Sequence, residues 1–406
     1  MKFNLVNFLQ GISISLDYIE KEIFGVPTNH SKRVAYISYH ISSALSLPED
    51  QVFDLLSLAI LHDNGASLAI LHEELKGTHL EKRLSLETAI MHCTMGEKNL
   101  VDFPFLTKPK NVILYHHENC DGSGFFGIKG DKIPLLAQII HLSDMIDLNF
   151  NLTHIPSNPV LKNQIIDFVQ KNNTSLFSNV VVNAFLEISN QPSFWEGLSD
   201  DIIDENLEKS SQGFDFEMES KTIRKITKTF SKVIDSKSSY THQHSNMVAA
   251  TMKRMAKFYH LNKEESSLLV IAADLHDLGK LGISKSIIEK PGPLTIEEFK
   301  VIQEHPTIAY ECLKNIIGFE KITEWIYNHH EKLDGSGYPR GLTKENLDFG
   351  SRLIACIDIY TALQEDRPYR KAMSKETAYS ILSDMAMKGL IDLDICQDIY
   401  QIFHQS

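Results

Sequence analysis

Apolar residues recur at helical spacing in both halves of the chain, whereas alternation of apolar and polar residues with a period of two is scarce. The stretches DLLSLAILHD (54–63) and SLLVIAADLHD (267–277) are apolar helical segments that each end on a His-Asp pair. SRLIACIDIYTAL (351–363) has the same spacing, and LTIEEFKVIQEHP (294–306) opens as a capping box. The pattern predicts an all-α fold of helical bundles, with ligands projecting inward from several helices.

The second half of the chain repeats the chemistry-bearing residues of the first half. At an offset of 213 or 214 residues, the following pairs match: His244 with His30, His276 with His62, Asp277 with Asp63, His305 with His92, His329 with His116, His330 with His117 and Asp358 with Asp144. A repeat this long suits a duplicated domain better than a solenoid unit. We therefore expect two tandem domains, at residues 1–190 and 221–406. The acidic, weakly hydrophobic segment 191–220 is expected to be a linker or an inter-domain helix with a solvated face.

Composition and charge narrow the class of protein. The 406 residues suffice for two domains of about 200 residues each. The net charge of -13 argues against binding to DNA or RNA polymers or to anionic membranes, so an anionic substrate must meet a local basic cluster. The N-terminal residues are not expected to form a signal peptide, and no apolar run reaches the length that insertion in a membrane needs. Five scattered cysteines, interpreted as small buried hydrophobes, favour a reducing compartment, and we expect a soluble cytoplasmic protein.

Each half carries a mixed nitrogen and oxygen ligand set of five imidazoles and two carboxylates, without a thiolate. Such a set suits iron, manganese or zinc better than a cysteine-rich structural zinc site. Seven ligands exceed what one ion needs and indicate two ions, with the carboxylate of the His-Asp pair reaching both. Two neighbouring ions can hold a bridging hydroxide and stabilise an in-line phosphoryl displacement, which is the chemistry of phosphodiester hydrolysis. The predicted metal ligands are His244, His276, Asp277, His305, His329, His330 and Asp358 in the second half, and His30, His62, Asp63, His92, His116, His117 and Asp144 in the first half.

Both halves resemble HD-GYP domains, a branch of the HD phosphohydrolase superfamily. The second half carries YTHQHS, LHDLGKLGI, KPGPLTIEEF, EHP, HHEKLDGSGYP, SRLIACID and DRPYR, and the first half keeps the order as HSKRV, LHDNGA, MHCTMG, HHENCDGSGFFG and IIHLSD. The resemblance implies a helical fold, two divalent ions and a cyclic dinucleotide substrate, with iron or manganese favoured over zinc or nickel. It assigns catalysis to Asp277 and Lys280, and substrate binding to Lys280, Tyr338, Arg367 and Arg370. Where some relatives have a carboxylate for a third ion, this chain has Tyr240 and Val26, so two ions are expected in each site.

The first half departs from the HD-GYP pattern where the substrate would be held. Ala66 stands in the place of Lys280, the GYP of 337–339 becomes Gly-Phe-Phe, and RPYR (367–370) falls opposite THIP (153–156). Loss of these cations removes charge and orientation from a phosphate site. The second domain is therefore expected to be the catalyst. The first is expected to retain metal, to bind substrate weakly and to act as a regulatory or dimerising partner.

Several points stay open at the level of the sequence. Glu331 and Asp334 are expected to orient the ligating histidines, and Lys290 could be a surface charge or a phosphate contact. Cyclic di-GMP is the default substrate of the family, and 3′,3′-cyclic GMP-AMP competes with it. A non-hydrolytic cyclic dinucleotide receptor and an HD hydrolase of nucleotide monophosphates or triphosphates are the alternative functions. A homodimer or signalling partners are possible associations.

Overall fold

The chain divides into two compact units in a computed structural model that describes residues 2–23, 28–67, 86–152, 155, 158–211, 215–238, 243–366 and 370–404. One unit comprises Phe3–Phe216, and the other comprises Glu217–Ser406 together with Met1–Lys2. The boundary lies inside the segment 191–220 that the sequence predicts as a linker.

The first unit is built from helices. Within its described residues they span Leu5–Ile23, His30–Ala44, Glu49–Ile60, Leu86–Asn99, Leu135–Asn149, Pro159–Lys171, Asn179–Ser189, Pro192–Glu196 and Ile203–Ser210, with short 3-10 turns at Asn64–Ser67 and Gly130–Lys132. Two three-residue strands, Lys2–Asn4 and Asp215–Glu217, pair with each other near the two ends of this unit.

The helix His30–Ala44 is the centre of the first unit. It packs against the helices Glu49–Ile60, Leu135–Asn149 and Asn179–Ser189. Its apolar residues Val34, Ile37 and Ile41 recur every three or four positions and are fully buried, as one face of an amphipathic helix requires. This packing brings together helices that carry or precede His30, His62 and Asp144.

Much of the predicted linker belongs to the first unit. Phe194 and Trp195 are buried, and the helix Ile203–Ser210 packs on His30–Ala44 through Ile203 and Leu207. Ile203 and Leu207 lie four residues apart and therefore share one helix face, while Asp204 and Glu205 occupy the exposed remainder. With only two apolar residues on an eight-residue acidic helix, the hydrophobic pattern was too sparse to show that the segment packs.

The second unit repeats the helical architecture. Its helices span Ser220–Ser236, His244–Phe258, Lys263–Leu275, Lys285–Ile288, Ile296–Gln303, His305–Leu313, Glu320–Asn328, Phe349–Leu363, Lys375–Met387 and Leu393–His404, with 3-10 turns at Leu278–Gly282 and Lys344–Asn346. The predicted capping box is confirmed, because Thr295 Oγ1 accepts from the Glu298 backbone while the Glu298 carboxylate accepts from the Thr295 backbone. The all-α prediction is confirmed. No helix among the described residues has both the length and the apolar character that crossing a membrane demands.

Candidate active site

The second unit brings all seven of its predicted ligands into one buried site. His244, His276 and Asp358 form one cluster and His305, His329 and His330 form a second, each with ligand atoms within 4.8 Å of one another. Asp277 lies between the two clusters: its Oδ2 is 3.5 Å from Nε2 of His276, and its Oδ1 is 3.6 Å from Nε2 of His305. The side chains therefore make two adjacent donor groups joined by one carboxylate.

Helix ends place these side chains. His244 and His305 begin helices, His276 and His329 directly follow helices, and only Asp358 lies inside one. Gly279 allows the turn after His276 to approach the helix of His305, since a Cβ on Gly279 would lie 1.8 Å from the carbonyl oxygen of His305. No side chain larger than hydrogen fits there without moving backbone.

Backbone carbonyls fix the orientation of three imidazoles. Nδ1 of His276, His305 and His329 bonds the carbonyl oxygen three residues earlier, at 2.9, 2.7 and 2.5 Å respectively. A donor at Nδ1 leaves the lone pair of Nε2 pointing away from that carbonyl, toward the centre of the site. Nε2 of His305 and Nε2 of His329 lie 3.2 Å apart, as two lone pairs aimed at a common centre would.

His244 is oriented by a side chain. Its Nδ1 lies 2.8 Å from Oε2 of Glu365, while its Nε2 is 3.1 Å from Oδ1 of Asp358. Sequence reasoning did not find Glu365, because it lies beyond the end of the helix Phe349–Leu363 and no motif spacing marks it. Carboxylates behind ligating histidines raise the basicity of the imidazole and hold its ring.

Electrostatics keeps the carboxylates charged and three of the five imidazoles, those of His305, His329 and His330, neutral. Burial raises the pKa of Asp277, but the Lys280 ammonium and the imidazole of His276 outweigh it and hold that pKa well below its ordinary value. For His305, burial and then the neighbouring His329 and Lys280 lower the pKa to about 3. Burial, followed by the charge on His276, lowers the pKa of His329 to about 4. Ionised carboxylate and neutral imidazole are the forms that bind a metal.

The donor set fits divalent ions. Oδ1 of Asp277 is buried and has no hydrogen-bond partner among the described residues. An ionised carboxylate oxygen without a partner is costly in a protein interior unless a cation meets it. Nitrogen and oxygen donors without sulfur suit a borderline or hard divalent metal, as the sequence predicts for this half.

Two further predicted residues border the donors. Nζ of Lys280 lies 2.6 Å from Oδ2 of Asp277, and the side chain is partly exposed. The ring of Tyr338 lies 4.8 Å from that of His330, centroid to centroid. A cation and an aromatic ring thus stand where a phosphate or a base approaching the site could contact them.

The prediction that Glu331 and Asp334 orient the histidines is wrong. The carboxylate of Glu331 accepts from the backbone N–H groups of Arg340 and Leu342, and Asp334 is exposed and accepts from the N–H of Ser336. Both acids therefore hold the glycine-rich loop closed on itself. The sequence placed them beside histidines, but their side chains point into the loop, where several N–H groups lack partners from a helix or a sheet.

The basic residues of the RPYR motif are only partly described. Arg370 donates to the carbonyl oxygens of Ala362 and Leu363, at 2.8 Å each, and so caps the helix Phe349–Leu363. Arg367 lies outside the described residues. Lys290 is ion-paired with Glu298 at 2.6 Å. Neither Arg370 nor Lys290 presents a guanidinium or ammonium group without a protein partner to a phosphate.

The first unit assembles its own seven predicted ligands in the same way. His30, His62 and Asp144 form one cluster, and His92, His116 and His117 lie in a second cluster together with Cys93. Asp63 again lies between them, with Oδ2 3.6 Å from Nε2 of His62 and Oδ1 3.0 Å from Nε2 of His92. Gly65 repeats the role of Gly279, since its Cβ would lie 2.2 Å from the carbonyl oxygen of His92.

Outside the donors the first unit differs from the second. Nδ1 of His30 bonds Oδ2 of Asp147 at 2.6 Å, and Asp147 is in turn ion-paired with the fully buried Arg33. Asp147 lies one helical turn after Asp144, so its spacing was a signal that could have predicted it. The position of Lys280 is taken by the buried Ala66. Tyr240 and Val26, which stand where some relatives have a carboxylate for a third ion, lie outside the described residues, as do Thr153, His154 and Pro156 opposite the RPYR motif.

Comparisons with known proteins agree with the duplicated site. A family described as HD domain matches residues 21–174 and 228–395. A 3′3′-cGAMP-specific phosphodiesterase of Vibrio cholerae is 30% identical over 374 residues, which cover 90% of this chain and 85% of that protein. A cyclic di-GMP phosphodiesterase of Thermotoga maritima is 31% identical over 184 residues, covering 45% of this chain and 50% of the relative. The crystal structure of a cyclic GMP-AMP specific phosphodiesterase of V. cholerae aligns with a TM-score of 0.68 at 23% identity over 99% of both chains.

Proposed function

The chain belongs to the HD domain family, in its HD-GYP branch, and we propose that its second unit hydrolyses a cyclic dinucleotide to a linear dinucleotide with the help of two divalent ions. The observation that carries the proposal is the pair of donor clusters joined by Asp277, with the Lys280 ammonium 2.6 Å from that carboxylate. A site that only stored metal would not need an ammonium group such as that of Lys280 beside its ligands.

HD-domain phosphodiesterases are metal-dependent, and the predicted ligands of the second unit divide into two groups. His244, His276 and Asp358 would hold one ion, and His305, His329 and His330 the other, with Asp277 offering one oxygen to each. Bound divalent ions supply a water of lowered pKa and positive charge opposite the phosphate oxygens. Iron or manganese is our choice over zinc or nickel because the resemblance to HD-GYP domains favours them, while the donors, imidazole and carboxylate without sulfur, suit iron, manganese and zinc alike.

Beside the metal ligands, three side chains of the second unit would contribute to catalysis: Lys280 and Tyr338 by contacting the substrate, and Arg370 by stabilising a helix end. Lys280 would place its ammonium beside the phosphate, where it offsets charge that develops in the transition state. Tyr338, next to His330, would offer an aromatic face to a base. Arg370 would act by capping the helix Phe349–Leu363, since its guanidinium bonds the last carbonyls of that helix.

The first unit would hold metal without turning over substrate. Its donors are complete, yet Ala66 puts a methyl group where the second unit has an ammonium, and Phe125 replaces Tyr338 as the ring next to the paired histidines. A site without that cation lacks one of the charges that would stabilise a transferring phosphate. A regulatory or dimerising role for this unit is consistent with that loss.

The proposed substrate is 3′,3′-cyclic GMP-AMP, with cyclic di-GMP as the competing substrate. The relative that aligns with 90% of this chain is named for 3′3′-cGAMP, whereas the Thermotoga maritima relative named for cyclic di-GMP aligns with 45% of it. The tandem arrangement is thus shared with a cGAMP-specific protein.

Product formation from a panel of cyclic dinucleotides and mononucleotides tests the proposal. Manganese- or iron-loaded protein should convert 3′,3′-cyclic GMP-AMP to a linear dinucleotide that chromatography resolves from the cyclic compound. Tight binding of a cyclic dinucleotide without turnover would instead support the receptor function. Turnover of mononucleotides with none of cyclic dinucleotides would support the HD nucleotidase.

A further inference from the structure

We propose that Cys93 is a metal ligand, so that the first unit holds a thiolate-bound divalent ion of a kind that the second unit does not hold. Cys93 follows His92 on the helix Leu86–Asn99, and its sulfur belongs to the cluster formed with His92, His116 and His117, whose ligand atoms all lie within 4.8 Å of one another. The side chain is fully buried.

The orientation of His116 points independently to a ligand at this place. Its Nδ1 bonds the carbonyl oxygen of Ile113 at 2.5 Å, which turns the lone pair of Nε2 into the cluster. Nε2 of His116 is buried and has no hydrogen-bond partner among the described residues. A buried imidazole nitrogen that makes no hydrogen bond within the described part of the chain, lies 3.7 Å from Oδ1 of Asp63 and shares a cluster with a thiol and two further imidazoles has the surroundings of an atom that ligates an ion.

The second unit serves as an internal comparison. The offset of 213 residues that relates His92 to His305 places Pro306 opposite Cys93. The corresponding cluster of His305, His329 and His330 includes no sulfur donor among the described residues. The two units therefore keep the same imidazoles and differ in one donor atom.

That donor changes the metal that the site prefers. Thiolate is a soft ligand that favours zinc and other thiophilic ions, and three imidazoles with one thiolate make a four-donor set of the tetrahedral kind. Binding converts the Cys93 thiol to a thiolate, and the proton leaves to solvent. With these four donors filling its shell, the ion would leave Asp63, whose Oδ2 faces His62, to the neighbouring cluster and would have no open position for a substrate. This assignment concerns the first unit alone and does not depend on the proposed hydrolytic activity.

Absorption spectroscopy of the full chain loaded with cobalt(II) tests the assignment. A thiolate bound to cobalt gives a sulfur-to-metal charge-transfer band in the near ultraviolet, whereas imidazole and carboxylate ligands alone do not. We expect the band in the wild-type protein and its loss in Cys93→Ser. It should persist in Cys312→Ser, a buried cysteine on the helix that begins with His305, and in His276→Ala/Asp277→Ala, which removes donors from the second unit.

Zinc competition provides a second measurement. The variant Cys93→Ser should lose more than about tenfold in the affinity of its tightest zinc site, since even partners outside the ligand shell contribute about 10- to 100-fold. Wild-type protein that shows no charge-transfer band at saturating cobalt would overturn the assignment without any variant having to fold. Persistence of the band in Cys93→Ser would also overturn it.

Discussion

The ammonium of Lys280 lies 2.6 Å from Oδ2 of Asp277, the carboxylate that stands between the two donor clusters of the second unit. We expect Lys280→Met to lower kcat by about 100-fold, the effect of removing one preorganised charge from a transition state. Bound metal should stay near the wild-type amount, because Lys280 is not among the proposed ligands. Steady-state turnover and metal analysis of the same sample check both statements. The control is Lys290→Met, whose ammonium pairs with Glu298, and wild-type turnover in Lys280→Met would contradict the role.

Glu365 is expected to act through His244. Replacing Glu365 by Gln removes the charge that faces Nδ1 of His244 at 2.8 Å and should weaken metal binding to the second unit by about 10- to 100-fold. Titration against a chelator of known affinity measures the change, and excess manganese should restore much of the turnover. Glu345→Gln, which alters an acid bonded to Thr343, is the matched control. If Glu365→Gln binds metal as tightly as Glu345→Gln, the positioning role is refuted.

Substituting the glycine that follows each His-Asp pair is expected to reduce turnover when the change is in the second unit and to leave it unchanged when the change is in the first unit. A methyl group on Gly279 would collide with the carbonyl of His305, and one on Gly65 with the carbonyl of His92. Each substitution by Ala should destabilise its own unit by about 3 kcal/mol, the upper end for overpacking. Gly279→Ala should also lose turnover, while Gly65→Ala should retain it. Denaturant unfolding and kcat measure the two effects. Gly292→Ala is the control, because a Cβ built at Gly292 would meet no atom within 4 Å among the described residues, its chain neighbours aside. Loss of turnover in Gly65→Ala with turnover retained in Gly279→Ala would contradict the prediction.

His40 makes the stability of the first unit depend on pH. Burial beside Tyr36 and Phe194 lowers the pKa of His40 to about 4, while an unfolded histidine titrates near 6.5. Between these values the unfolded state binds more protons, so the free energy of unfolding falls as the pH drops from about 6.5 to about 4, by up to about 3 kcal/mol. His40→Phe should flatten this dependence, as denaturant titrations at pH 7.5 and pH 5 would reveal. An equal loss of stability in wild type and variant would contradict the assignment.

The ligands of the site were predictable because they recur at one offset. His62 and His276 each end an apolar helical run, and that periodicity alone predicts the helices that carry them. Contacts between residues far apart in the sequence were harder to predict. Glu365 meets His244 across 121 residues of sequence, and Arg370, which the resemblance assigns to substrate binding, bonds the last carbonyls of a helix. Neither contact leaves a periodic signal.

Cys93 is a second example of a residue whose neighbours in the fold the sequence does not predict. As one of five scattered cysteines it was interpreted as a small buried hydrophobe, and it is indeed buried. Its position in one cluster with His116 depends on how the helix Leu86–Asn99 meets the turn that carries His116, which spacing along the chain does not encode. The sequence likewise predicts a linker where the helix Ile203–Ser210 packs on His30–Ala44, because two apolar residues among acids are too few to indicate a packed face.

The central claim is that the second unit hydrolyses a cyclic dinucleotide while the first unit does not. Its most direct test is the rate of linear dinucleotide formation by metal-loaded wild type, His276→Ala/Asp277→Ala and His62→Ala/Asp63→Ala, which remove matched residues from the two sites. We expect the change in the second unit to abolish product formation and the change in the first unit to leave measurable turnover. Abolition by the first-unit change alone, or no product from metal-replete wild type with any cyclic dinucleotide, would contradict the account.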